Sequence, residues 1–305
     1  MSTSISDNAT KPFDKATVNP LFTPRYKPRS VQSARDLHIP RLTHKNANYK
    51  YIFVGDSNWE HYLSTGAGRD CDSGDAIEGQ ENLWTKYHEM GAINLGVNGD
   101  GISEVLYRLF KLNTIDYFPE NPKQIVLWVG TSDIERYTED VVFDGMINLV
   151  HKIQESYKQK ANVTVIGILP RFSRNRKISV SNLNRSIQLL NWKLAETAER
   201  DNFTFLDLYF KFYEQRRILD DYFEDHVHLN HTGYKILDEE LHKYLTQSND
   251  KPKQSDQPGQ SEQPRQSNQP RQSNQPRQSE QSRQSEQPRQ FNKLDKLHQL
   301  NKMKK

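Results

Sequence analysis

An α/β fold is expected for the middle of this 305-residue chain: a three-layer α/β/α sandwich on a five-stranded parallel sheet of flavodoxin-like order 2-1-3-4-5. Five apolar runs recur there, at 51–54, 92–97, 124–129, 163–169 and 203–208. Unbroken apolar runs, rich in β-branched and aromatic residues, suit strands covered on both faces. Stretches with helical spacing of apolar residues separate most of the runs, and such alternation argues parallel strands joined by crossover helices. Right-handed crossovers leave the doubly wound order as the expected topology.

The first run, Tyr51-Ile52-Phe53-Val54, leads into Gly55-Asp56-Ser57-Asn58, where a sharp strand-to-helix turn would expose a serine hydroxyl. The second is followed by Gly96-Val97-Asn98-Gly99-Asp100-Gly101 and by a helical stripe at Ile102, Val105, Leu106 and Leu109. The third, which holds Trp128 as a core residue, gives way to Gly130-Thr131-Ser132-Asp133 and to a helix marked by Val142, Met146, Leu149, Val150 and Ile153. The fourth ends at Pro170-Arg171, before a helix at Leu183, Ile187, Leu190 and Leu194. After the fifth comes Asp225-His226-Val227-His228. Then the Asn230-His231-Thr232-Gly233 turn opens a last helix at Tyr234, Leu237, Leu241 and Leu245. Active sites of doubly wound sheets form beyond the carboxyl ends of the strands, and all of these chemistry-bearing turns fall at that edge.

The flanks differ in kind. Residues 1–48 are polar and aperiodic, an extension with two apolar anchor points at Pro20-Leu21-Phe22 and Leu37-His38-Ile39-Pro40. The folded domain is expected over 49–247. From 248 the chain becomes a polar tail in which six copies of a hexapeptide of the type Gln-Ser-Glu-Gln-Pro-Arg fill 254–289. Without apolar side chains beyond proline, these repeats cannot offset the entropy of ordering, so the tail reads as disordered and would serve as a tether to a partner protein. A basic end with Leu294, Leu297 and Leu300 closes the chain.

Composition narrows the classes further. A net charge of +3 is too small to argue for nucleic acid, and no aromatic residues interleave with the tail arginines to stack on bases. Cys71 is the single cysteine, so no disulfide forms within the chain. Residues 1–11 lack the apolar core of a secretory leader, and no run approaches the roughly 20 apolar residues of a membrane helix. A cytoplasmic protein is expected.

A serine, a histidine and an acid are what acyl transfer requires of a hydrolase. Other readings of the same residues are weaker. Asp225 with His226, His228 and His231 does not match a familiar zinc spacing, so no metal is expected. The glycines of 96–101 lack Gly-x-Gly-x-x-Gly spacing and follow the second strand, so no dinucleotide and no other cofactor is expected. Asp133 reads as a cap or loop brace and Arg171 as an ion-pair partner.

Taken in order, five blocks resemble the SGNH hydrolases, also called GDSL lipases and esterases, and in particular their acetylhydrolase branch. They are Val54-Gly55-Asp56-Ser57, the stretch from Asn94 to Asp100 with Val105 to Leu109, Val126 to Thr131, Gly167 to Arg171, and Asp225 to Leu229 with Gly233-Tyr234. The resemblance implies Ser57 as nucleophile, His228 as general base and Asp225 as the acid that orients it. It further implies Gly99 as a backbone oxyanion donor, with Asp56 supporting the turn. It implies a small-molecule ester as substrate and, since the resembling subunits form dimers, a homodimer. In one place the chain departs from the family: Ser132 stands where the family carries an asparagine whose side chain is an oxyanion donor. Loss of one such donor costs about 10²–10³ in turnover. The expected activity is therefore a serine esterase releasing a short acyl group, acetyl first, from a lipid or carbohydrate. A catalytically impaired binding or scaffold protein and an acyltransferase using the same serine are the competing readings.

Overall fold

The computed structural model describes residues 18–63, 80–158 and 162–247. Residues 1–17, Cys71, the hexapeptide repeats and the basic end lie outside the described residues. In chain order the elements begin with a 3-10 turn (Pro20–Phe22), α1 (Pro28–Ser33), a π-helical turn (Ala34–His38) and α2 (Ile39–Leu42). Then follow β1 (Tyr51–Gly55), α3 (Ser57–Tyr62), α4 (Gln80–Glu89), β2 (Ala92–Gly96), α5 (Ile102–Phe110), β3 (Gln124–Trp128) and α6 (Glu139–Ser156). The chain continues through β4 (Val163–Ile166), α7 (Val180–Thr197), β5 (Thr204–Leu206) and α8 (His231–Gln247).

The five strands pair in parallel in the order β2-β1-β3-β4-β5, as the alternation predicts. Why the strands read as unbroken apolar runs is visible along β1. Ile52 and Val54 enter the apolar layer shared with α5, α6 and α7. Tyr51 and Phe53 enter the opposite layer, with Trp59 of α3, Tyr87 of α4 and Leu237 and Leu241 of α8. Successive side chains point to opposite faces, and here both faces are dry. Ile52, Phe53 and Val54 are fully buried, and burial of each such side chain stabilises by about 1.5–3 kcal/mol. Trp128 lies in the core. No described helix is long and apolar enough to cross a membrane.

Two of the runs outlast their strands by more than one residue. β4 stops at Ile166, while Ile168 and Leu169 stay buried beyond it. There the Ile168 N–H donates to Asn191 Oδ1 and the Ile168 carbonyl accepts from Asn191 Nδ2, each at 3.0 Å, so an α7 side chain takes the place of a neighbouring strand. The run at 203–208 likewise yields only the three residues of β5.

The segment before β1 has helical turns that its polar, aperiodic sequence does not announce. Its bonds are tertiary. Leu21 is buried against Ile102 and against Gly145 of α6, where an added Cβ would come within 2.8 Å of Leu21 Cβ. Asn19 Nδ2 donates to the Val141 carbonyl at 2.9 Å. Arg25, Lys27 and Arg29 form ion pairs with Glu104, Asp100 and Glu60.

Candidate active site

Gly55 ends β1 where a Cβ would meet the Trp128 carbonyl oxygen at 1.9 Å, so glycine alone lets the chain leave the sheet here. Asp56 follows with extended backbone and caps α3, its Oδ1 accepting from the Asn58 N–H at 2.9 Å and from Asn58 Nδ2 at 3.1 Å. An acidic N-cap of this kind satisfies one of the unpaired amides that open a helix. Burial pushes the Asp56 carboxyl up to about 6, against the lowering effect of the Asn58 N–H. The cap fixes Ser57 at the first helical position, nearly buried at 5% exposure.

The loop before α8 supplies the partner groups. Ser57 Oγ lies 2.8 Å from His228 Nε2, and His228 Nδ1 lies 2.9 Å from each oxygen of Asp225. Asp225 Oδ1 also accepts from the backbone N–H groups of His228 at 2.9 Å and Val227 at 3.2 Å. Burial alone would raise Asp225, but the His228 ring and these amides outweigh it and hold the carboxyl well below the usual range. An ionised Asp225 can only accept, so Nδ1 carries the proton and Nε2 is left to accept from the Ser57 hydroxyl. Asn230 Oδ1 accepts from the Gly233 N–H at 3.0 Å, which starts α8 directly after the histidine.

Sheet register gathers the remaining groups. Gly55 is opposite both Gly96 and Trp128, so the turns carrying Ser57, Gly99 and Ser132 leave the same edge within a few residues. Gly99 has φ +73°, the left-handed conformation. Among the described residues neither its N–H nor that of Ser57 has a hydrogen-bond partner. Ser132 is half-buried, and its hydroxyl has no partner among the described residues. Asp133 braces the loop: its Oδ2 accepts from the Ile102 N–H at 2.9 Å and so caps α5 from across the chain. Burial raises that carboxyl to about 6. Arg171 is buried in an ion pair with Glu135 at 2.8 Å. His226, exposed and at φ +70°, turns edge-on to Phe172 rather than toward His228. Among the described residues no three His, Cys, Asp or Glu side chains converge as a metal site requires.

Three side chains here went unread in the sequence. His61 stacks on His228 with ring centroids 3.8 Å apart and planes within 8°. Burial and the nearby His228 lower its imidazole to about 4, so it is neutral near pH 7. Its signal was its position four residues after Ser57, one turn along the same helix face. Arg174 Nη2 donates to Asp225 Oδ2 at 3.0 Å. Lys27 reaches the Gly99 turn from a segment with no periodic pattern to mark it.

Residues 53–236 match the pattern of the GDSL-like lipase/acylhydrolase family. The alpha2 subunit of platelet-activating factor acetylhydrolase IB from Rattus norvegicus is 30% identical over 171 residues, 55% of this chain and 70% of that protein. The alpha1 subunit from Homo sapiens is 29% identical over 167 residues, 54% of this chain and 69% of that protein. A solved GDSL-like lipase from Bacteroides thetaiotaomicron shares the fold, with a TM-score of 0.54 at 19% identity over 72% of this chain and 98% of that chain.

Proposed function

The chain belongs to the GDSL-like lipase/acylhydrolase family, and on that premise we propose that it is a serine esterase that removes a short acyl group, acetyl first, from a lipid or carbohydrate ester. One observation carries the reading: the unbroken chain of hydrogen bonds from Ser57 Oγ through His228 to Asp225. In the proposed reaction Ser57 Oγ attacks the ester carbonyl as His228 Nε2 takes its proton. The negative oxygen of the tetrahedral intermediate is stabilised by the N–H groups of Ser57 and Gly99. His228 then gives the proton to the departing alcohol, leaving an acyl-enzyme on Ser57. Water, activated by the same imidazole, releases the acid. The names of the relatives, acetylhydrolase subunits, support acetyl as the acyl group.

A fluorophosphonate probe tests the nucleophile without assuming a substrate. A single adduct on the Ser57 peptide is the expected result. A folded protein that acquires no adduct there overturns the reading and favours a binding role on the same fold.

Ser132 sets the expected level of activity. A hydroxyl is shorter than an asparagine amide and offers one donor in place of two. Ser132→Asn is therefore expected to raise kcat on para-nitrophenyl acetate by about 10-fold or more, up to the 10²–10³ that one oxyanion donor is worth. A flat or falling rate assigns Ser132 another purpose.

A further inference from the structure

The stretch from Arg25 to Ser30 lies outside the family match, which begins at residue 53, yet it is bonded to the turn that carries Gly99. Lys27 Nζ donates to the Asn98 carbonyl at 2.8 Å and reaches Asp100 Oδ1 at 3.3 Å. The ammonium is so close that a Cβ on Gly99 would lie 2.9 Å from it. Ser30 Oγ donates to Asp100 Oδ2 at 2.8 Å, beside Arg108 Nε, which donates to the same oxygen at 2.8 Å. Arg29 pairs with Glu60, whose second oxygen accepts the Asn98 N–H. The Arg25 N–H donates to the Ser103 carbonyl at 3.0 Å, just beyond the turn.

We infer that residues 25–30 are a strap that holds the Asn98-Gly99-Asp100 turn in place, and that Lys27 is a positioning residue for the Gly99 N–H. The inference rests on the esterase reading. A left-handed glycine is the softest backbone position in such a turn. Lys27 grips it from both sides, by the carbonyl before Gly99 and the carboxylate after it. Pro28, the first residue of α1, fixes the backbone directly after the lysine. The lysine stem is partly covered, and its ammonium shares the Asp100 carboxylate with Arg108. A site that lacks the asparagine amide at position 132 depends all the more on its two backbone donors, and the aim of one of them is set by this strap.

The test compares full-length wild type, Lys27→Met, Lys27→Arg and Ser57→Ala on para-nitrophenyl acetate, together with inhibition by methaneboronic acid, which forms a tetrahedral adduct on a serine nucleophile. Displacing a reacting group by about 1 Å can cost about 100-fold, and with Glu60, Ser30 and Arg108 still holding the turn a loss of about 10-fold is expected. Lys27→Met should lower kcat by that factor, leave KM within about twofold, and weaken methaneboronic acid by the same factor as kcat. Lys27→Arg, which keeps donors at that place, should recover most of the loss. If Lys27→Met is insoluble, Lys27→Ala, which also removes the ammonium, provides the same comparison. A Lys27→Met protein as active as wild type beside an inactive Ser57→Ala overturns the strap alone. So does a fall in kcat with boronate inhibition unchanged, because a general loosening of the fold would not single out the tetrahedral state. A fully active Ser57→Ala strikes the esterase reading itself.

Discussion

Ser57→Ala is expected to lower kcat on para-nitrophenyl acetate by about 10⁶, the scale at which losing the nucleophile of a serine–histidine–acid set is felt. The hydroxyl is held 2.8 Å from His228 Nε2 and has no other hydrogen-bond partner among the described residues. What remains in the alanine protein is substrate binding and the two backbone donors, worth about 10³–10⁴ over water. KM should change little, since the hydroxyl contributes to bond making more than to binding. The fold should survive, because Asp56 caps α3 through its own side chain and the Asn58 N–H, neither of which touches the Ser57 hydroxyl. Initial rates, with thermal melts of both proteins alongside, make the comparison. His228→Ala should lose a similar factor, and the double variant should lose no more than either single one, because the two act as one unit. A residual rate within tenfold of wild type would falsify covalent catalysis by Ser57.

How far the sequence discloses this site depends on where each residue draws its restraint. Ser57, Gly99 and Ser132 are legible because each sits in a turn directly after an apolar run, and the parallel sheet carries all such turns to one edge. The runs themselves are legible because alternate side chains of a strand such as β1 meet two dry layers. Strand ends are less so: Ile168 and Leu169 are as apolar as β4, and only the Asn191 side chain, 23 residues away, shows that the ladder has stopped. The segment before β1 is the hardest to read. Apart from isolated apolar anchors such as Leu21, its hold on the domain is a handful of ion pairs and hydrogen bonds to residues 31 to 122 positions distant, and such pairs leave no period in the sequence. α4 falls between these cases, since Leu83, Trp84 and Tyr87 give a stripe too short to stand out.

The second large effect is expected from a change of one heavy atom. Asp225→Asn should reduce kcat by about 10⁴, the cost of putting a catalytic histidine in the wrong tautomer. Geometry dictates which way the new amide points. The backbone N–H groups of His228 and Val227 both aim at Oδ1, and Arg174 donates to Oδ2. An asparagine keeps its carbonyl toward the two amides and so turns its NH₂ toward His228 Nδ1. A carboxylate allows only the Nδ1–H tautomer; with one of its two acceptors near Nδ1 replaced by a donor, Nδ1 can accept from the NH₂ instead, the proton moves to Nε2, and Nε2 can no longer take the proton of Ser57. His61 offers no remedy, since its ring lies flat on His228 rather than in line with either nitrogen. Because the normal Asp225 carboxyl is held well below the usual range, wild type keeps this carboxylate ionised down through mildly acidic pH, whereas the asparagine protein lacks it at every pH where wild type works. The two melting temperatures should be close, since the two backbone hydrogen bonds are retained in the variant. A loss smaller than tenfold would mean that His228 receives its orientation from some group other than Asp225.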